Sequence, residues 1–309
     1  MTDDAGSEPE IIQAELVEMS PGAPWEWQEV RFVQPRRRRR LLPVLLFIAT
    51  CLSTLLVGMG DPEEAGWLAA LAHGLHYAVP VMTILLCHEM GHFLQAYRYG
   101  VYASLPYFIP VPAPPFGTLG AVIAMEPRIG GRKALFDIGI TGPLAGLVPT
   151  FIFLVIGLCH AKVEVLTSQS QVFGDPLLLR FLASRILGPI PKGSDVIFNP
   201  VLFAGWVGLF ITSLNLIPIG QLDGGHVLYA LLRRKAHMVA TVLLFSAVFV
   251  VIYGQLWHWS VMLFLLLLMG PIHPPTADDE EPLGLGRIIL GWLTLAFIVV
   301  GFTPVPLLR

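Results

Sequence analysis

Two histidines four positions apart, with a glutamate after the first, stand in Cys87-His88-Glu89-Met90-Gly91-His92. On a helix this spacing brings His88 and His92 onto one face, close enough to grip a single Zn²⁺. Glu89 adds a carboxylate able to take a proton from water activated there, so the chemistry indicated is hydrolysis. The setting is unusual for such a motif. The preceding residues, Val79 to Leu86, read Val-Pro-Val-Met-Thr-Ile-Leu-Leu, the composition of a membrane span.

Two imidazoles leave zinc one short of the three protein ligands usual in a catalytic site. The extended pattern that would supply a third histidine nearby is absent, because Gln95 and Arg98 stand where its glycine and histidine would be. The best candidate lies far along the chain, at Asp223 in Asn215-Leu216-Ile217-Pro218-Ile219-Gly220-Gln221-Leu222-Asp223-Gly224-Gly225-His226. An aspartate inside an apolar segment is costly unless it is paired or bound to metal. Depth supports the pairing. His88 precedes Arg98 by ten positions and Asp223 precedes Arg233 by ten, so both lie about 15 Å in from the same charged flank at the helical rise. Pro218, Gly220, Gly224 and Gly225 would unwind this helix locally and let backbone approach a ligand. Asn215 is open to two roles, bonding a substrate backbone or oxyanion, or capping the broken helix.

The elements that must hold these residues are membrane helices. The chain has 309 residues, of which 55% are apolar and only 13% charged, against about a quarter in soluble domains. A net charge of −3 argues against nucleic acid as a partner. Cys51, Cys87 and Cys159 lie far apart within apolar runs, which indicates neither disulfides nor a thiolate metal site. Residues 1–40 read as a cytoplasmic disordered tail ending in the run Arg36 to Arg40, with Trp25 and Trp27 free to rest on the bilayer surface, and without the early apolar core of a cleaved signal peptide.

The expected fold is an all-α polytopic membrane protein of about six to seven transmembrane helices, with a re-entrant β-hairpin between the second and third spans. Residues 41–65 give the first span and an acidic turn, and residues 66–235 a membrane core. In that core Trp67 to Tyr97 carries the two histidines, and Phe136 to Leu158 is the third span with a close-packing run at Gly139, Gly142, Ala145 and Gly146. Between them, prolines at 106, 110, 112, 114 and 115 forbid a helix, and Phe116 to Ile123 reads as a turn into a strand. Gly117, Thr118 and Gly120 in that hairpin are candidates for holding a substrate strand. Ala161 to Asn199 is expected to be a polar loop carrying an amphipathic helix at Pro176 to Leu187, and Pro200 to Leu232 a fourth span broken near Pro218 to Gly225. Residues 236–309 hold the last spans, Val239 to Tyr253, a short Trp257 to Met269 and Ile288 to Phe302, with an acidic, proline-rich loop at Pro271 to Gly286. Positive charges gather on one side of this arrangement, which makes the amino terminus cytoplasmic. His73 and His76 are expected to pack, His226 to pack or support the ligands, and Asp137 to be a helix-start charge; Glu126 falls near the surface end of the hairpin.

Cys87 to His92 together with Asn215 to Gly225 resembles the site-2 protease family of intramembrane zinc metalloproteases, whose signatures are HExxH and N-x-x-P-x-x-x-L-D-G. The likeness extends to Phe116 to Ile123 and Arg132 to Gly146. It implies His88, His92 and Asp223 as ligands of one Zn²⁺ per chain and Glu89 as catalytic base, with the helix-breaking Pro218, Gly224 and Gly225 as structural support read from their own chemistry. The depth of the two halves puts the site within the bilayer towards the cytoplasm, and the resemblance implies a substrate that is a single-span membrane protein, often one already trimmed by another protease. Oligomeric state and pathway are left open. The rivals are a prenyl-protein metallopeptidase, which would want a glutamate in place of Asp223, and a non-catalytic metal transporter or scaffold, which would not need Glu89.

Overall fold

The computed structural model describes residues 41–61, 63, 66–125, 130–165 and 173–306. The expectations for the tail at 1–40 and for Glu126 lie outside these residues. The described part is mainly helical. Helices α1 (Leu41–Met59), α2 (Trp67–Arg98), α3 (Arg132–Cys159) and α7 (Lys235–Tyr253) are long and apolar enough to cross a membrane. Between and after them come α4 (Leu177–Ile186), α5 (Pro200–Asn215), α6 (Asp223–Leu232), α8 (Ser260–Met269) and α9 (Leu285–Gly301). Of these, α5, α9 and the segment Trp257–Met269 are shorter apolar helices. The outer faces of α1 and α7 expose Leu45, Ile48, Leu52, Val242, Phe245 and Phe249. Apolar residues on faces that pack on nothing are what a lipid-facing helix requires.

Two small sheets accompany the helices. Strands β1 (Tyr107–Pro110) and β2 (Thr118–Val122) pair antiparallel, with Tyr107 opposite Val122, Phe108 opposite Ala121 and an irregularity before Pro110. The hairpin is pinned to α1, since the Ser53 hydroxyl donates to the Gly117 carbonyl at 2.5 Å. Gly117, at φ +75°, sits so close to the Thr54 backbone that a Cβ would lie 2.8 Å from its Cα. The other sheet was not foreseen. Residues 161–199 are not simply a polar loop with a surface helix, because β3 (Lys162–Val165) and β4 (Ser194–Ile197) close it antiparallel. Each strand has four residues, and β3 is exposed throughout, so no buried alternation marks it in the sequence.

Two apolar clusters form the core along α2 and α3, one completed by α5 and the other by α6. At one end Trp206 of α5 is fully buried, stacked on Phe210 at 5.3 Å and near Phe173 and Phe203, with its indole N–H donating to the Gly174 carbonyl. Leu135, Phe136, Ile138, Val227 and Tyr229 form the other end, joining α3 to α6.

The expected fourth span is two helices. Asn199 caps α5 by accepting from the Leu202 N–H at 2.9 Å, with Pro200 in the first turn where its missing N–H costs nothing. After Asn215 the helical ladder is lost. Residues 216–222 make short-range turns instead, such as Ile219 N–H to the Ile217 carbonyl, and Gly220 takes φ +59°. Helix order resumes at Asp223 for ten residues.

Candidate metal and catalytic site

Asp223 is the first residue of α6, and the chain reversal before it brings its carboxylate to the histidines of α2. His88 Nε2 lies 3.1 Å from Asp223 Oδ2, His92 Nε2 lies 3.3 Å from Asp223 Oδ1, and the two Nε2 atoms are 3.3 Å apart. One donor atom from each residue thus falls within 4.8 Å of the others, a group able to hold a metal ion. His88, Glu89 and His92 are 3%, 4% and 6% exposed. Two buried imidazole nitrogens and a carboxylate oxygen of the partly buried Asp223, converging on one point, are a set suited to a tetrahedral divalent ion with one position left open.

The second nitrogen of His92 is already used. Its Nδ1–H donates to the Ile138 carbonyl of α3 at 2.7 Å, which turns the Nε2 lone pair towards Asp223. The same stretch of α3 makes room for both rings. A Cβ at Gly142 would lie 2.0 Å from His92 Nε2, and one at Gly146 would lie 3.0 Å from His88 Cβ. Gly142 and Gly146 are four apart, as His92 and His88 are, and the helices run in opposite directions. The Thr141 hydroxyl adds a bond to the Gly91 carbonyl at 3.1 Å. The sequence marked these glycines as a packing run; that they face the histidines one for one was available only in the matched four-residue spacing.

Glycines shape the break as well. A Cβ at Gly224 would lie 1.9 Å from the Leu216 carbonyl oxygen, and one at Gly225 would lie 2.3 Å from that of Gly220. Asn215, the last residue of α5, sets its Nδ2 3.4 Å from His88 Nε2 and so borders the site. Of the hairpin candidates, Thr118 is an internal brace: its hydroxyl donates to the Ile109 carbonyl at 3.1 Å and accepts from the Gly120 N–H at 3.0 Å. Gly117 is the anchor on α1, whereas a Cβ added at Gly120, at φ +90°, would meet Ile211 of α5 only at 4.0 Å. Leu119 and Val122 of β2 are exposed.

His226 and Asp137 have partners the sequence did not reveal. His226 Nδ1 lies 2.6 Å from His273 Nε2, in the loop before α9. Asp137 is not simply a helix-start charge, since it bonds Arg287 of α9 through two nitrogens at 2.8 Å and accepts from the Tyr99 hydroxyl at 2.6 Å. His73 bonds the Gly58 carbonyl on α1 and has no part in the donor cluster.

Known proteins resemble this chain over much of its length. The chain is similar to a protein named probable zinc metalloprotease EGY2, chloroplastic, from Oryza sativa subsp. indica, with 31% identity over 77% of this chain and 44% of that protein. It is also similar to probable zinc metalloprotease EGY1, chloroplastic, from Oryza sativa subsp. japonica, with 26% identity over 96% of this chain and 53% of that protein. The chain thus spans about half the length of these relatives. Among solved structures it is similar to a site-2 protease from Methanocaldococcus jannaschii, with 18% identity, a TM-score of 0.38, and coverage of 72% of this chain and 84% of that one. The model of peptidase family M50 matches residues 76–253, more than half of the chain and including His88, Glu89, His92 and Asp223, so this chain belongs to peptidase family M50, the site-2 protease family.

Proposed function

We propose that this chain is a zinc-dependent endopeptidase that hydrolyses peptide bonds in or near transmembrane segments of membrane proteins. One observation carries the reading: His88, His92 and Asp223 converge beside Glu89 in the buried interior of an apolar helical bundle. Zinc held there would supply Lewis-acid chemistry, polarising a carbonyl and acidifying water. Glu89 takes the proton from that water and passes it to the leaving amine. His92 keeps one tautomer through the Ile138 carbonyl, so the site's proton traffic goes through Glu89 rather than the ring. Asn215, beside His88, donates its amide N–H to the substrate backbone or the developing oxyanion.

A helical substrate hides its peptide bonds in its own ladder and must unwind before the site. Each strand of a two-stranded sheet keeps one unpaired edge, and we assign the substrate strand to the hairpin edge near Gly117, Thr118 and Gly120. The substrate is a single-span protein shortened beforehand by another protease. Residues 66–235 act as the catalytic core. The α5–α6 pair counts as one crossing and the segment Trp257–Met269 as a seventh, beside six others in all; the hairpin re-enters from one face. The amino terminus and the water path lie on the cytoplasmic side, where Arg98, Lys133, Arg233 and Arg287 gather.

The test compares purified wild type with Glu89→Gln for bound zinc and for cleavage of a panel of single-span substrates. The variant keeps its zinc and loses at least about 100-fold in rate. A variant that cleaves like wild type overturns the mechanism. Absence of metal from both wild type and Asp223→Ala overturns the site.

A further inference from the structure

The loop between α8 and α9, residues 270–284, is tied to the catalytic helices at many points. The backbone N–H of Arg132 donates to the Asp278 carbonyl, and its guanidinium reaches the Glu281 carbonyl and those of Ala230 and Leu231 on α6. Lys133 pairs with Glu281 at 3.2 Å and Arg233 with Glu280 at 2.7 Å. The Tyr229 hydroxyl of α6 donates to Asp279 at 2.8 Å. One contact is of another kind, because it is buried and lies one turn from Asp223. His273 reaches in to His226 at 2.6 Å, and both rings are largely shielded from solvent.

The direction of this bond can be deduced. The Pro274 carbonyl only accepts, and it lies 2.6 Å from His273 Nδ1, so that nitrogen carries the hydrogen and Nε2 is bare in the neutral ring. The His226 Nδ1–H therefore donates to His273 Nε2. His273 is held in turn: its ring stacks on Tyr229 with centroids 4.5 Å apart, and its own carbonyl lies 3.0 Å from His237 Nε2 of α7. On its other side His226 is pressed against α3, where a Cβ at Gly139 would lie 2.9 Å from His226 Cβ and 3.6 Å from the Asp223 carbonyl oxygen. The His226 side chain is thus held against α3 at its Cβ and against the loop at its Nδ1.

We propose that His273 is a positioning residue for the metal site, fixing through His226 the rotation of the short helix whose first residue is Asp223. The inference rests on the reading of Asp223 as a metal ligand. α6 needs such a fix because it has only ten residues and is interrupted on both sides, by the turns at 216–222 and by Arg233 at φ 55°. The Arg132 bonds hold its far end, whereas His226 is the tie one turn from the ligand. Donor sets work only when held to within about 0.5 Å, and a small roll of a helix moves a side-chain terminus by more than that. His273 itself lies beyond residues 76–253, so this tie comes from outside the family-matched segment.

The test uses the full chain in detergent, loaded with Co²⁺, whose visible spectrum reports ligand geometry, and compares His273→Gln with His273→Leu. Both side chains fill the space, but only glutamine can accept from His226. His273→Leu shifts the visible band and weakens Co²⁺ retention against a chelator by about 10- to 100-fold, while His273→Gln stays within a few-fold of wild type. His226→Leu, which empties the same bond from its other end, reproduces the His273→Leu spectrum. Glu280→Gln combined with Glu281→Gln, which loosens the loop's ion pairs and leaves His273 in place, keeps the wild-type spectrum. Equal spectra and retention for His273→Gln and His273→Leu overturn the proposal. A wild type that takes up no Co²⁺, or that matches Asp223→Ala, overturns the reading of the site itself, and the proposal with it.

Discussion

The two halves of the donor cluster are built in opposite ways. α2 is a helix of 32 residues without interruption at the site, and it presents His88 and His92 through its own repeat. Asp223 starts a helix of ten residues that follows a break, and nothing in the local repeat sets its direction. The first half needs only space, which Gly142 and Gly146 of α3 provide. The second needs a fold around it: the close turn at Gly220 to Gly225, the Arg132 bonds and the His226–His273 tie. A ligand pair can be carried by secondary structure, whereas a ligand joining it from elsewhere has to be carried by tertiary structure.

One methyl group added to each half separates the two modes. Gly224→Ala drives a Cβ into the Leu216 backbone, which cannot swing away, so the break cannot close. A loss of about 3 kcal/mol or more is expected, read as poor accumulation and a lowered unfolding temperature. Gly142→Ala meets only the outer edge of the His92 ring, which can rotate at the expense of its bond to Ile138. A folding loss of about 1–3 kcal/mol is expected, with loss of bound metal seen by elemental analysis of a folded protein. If Gly142→Ala unfolds and Gly224→Ala merely sheds metal, the contrast between the halves is wrong.

The smallest effect is one of pH on the loop that steadies the second half. The Lys133 N–H and ammonium hold Glu281 below its ordinary carboxylate range, and bonds from Thr276 and Tyr229 hold Asp279 below its own against the opposing effect of burial. Depressed carboxyls stabilise the folded form above their unfolded pKa, and that stability is lost as pH falls through the folded values, on the acid side of the ordinary carboxylate range. Hydrogen-exchange protection across residues 276–283, measured against the intrinsic rate at each pH, should therefore fall on acidification through that window while α2 stays protected. Equal loss of protection in α2 and the loop would count against separate support for the two halves.

The contrast also explains what could be read from the sequence. His88, Glu89 and His92 are legible because a helix converts spacing into geometry. Asp223 is legible because a carboxylate in an apolar run demands a partner, and because its distance from Arg233 matches that of His88 from Arg98. The break was legible in Pro218 and its glycines, and the hairpin in its prolines. His273 was not, because an acidic loop has no period from which a side chain's direction follows. The bond from Asp137 to Arg287, across 150 positions, was hidden for the same reason, and β3 and β4 because they are short and bury no face.

The bond from Arg287 to Asp137 and on to Tyr99 also bears on what counts as the smallest working piece of this molecule. Tyr99 ends the helix of the histidines, Asp137 stands in the helix that receives them, and Arg287 lies 34 positions beyond the end of the family-matched segment. At the other end, Ser53 of α1 holds the hairpin through Gly117, 23 positions before that segment begins. A fragment cut to residues 76–253 would contain every candidate ligand and yet leave Asp137 without its cation, Arg132 without Glu281, and Gly117 without its anchor. The recognisable catalytic stretch and the unit able to fold are different lengths of chain, and trimming towards the motifs would remove what keeps them in place.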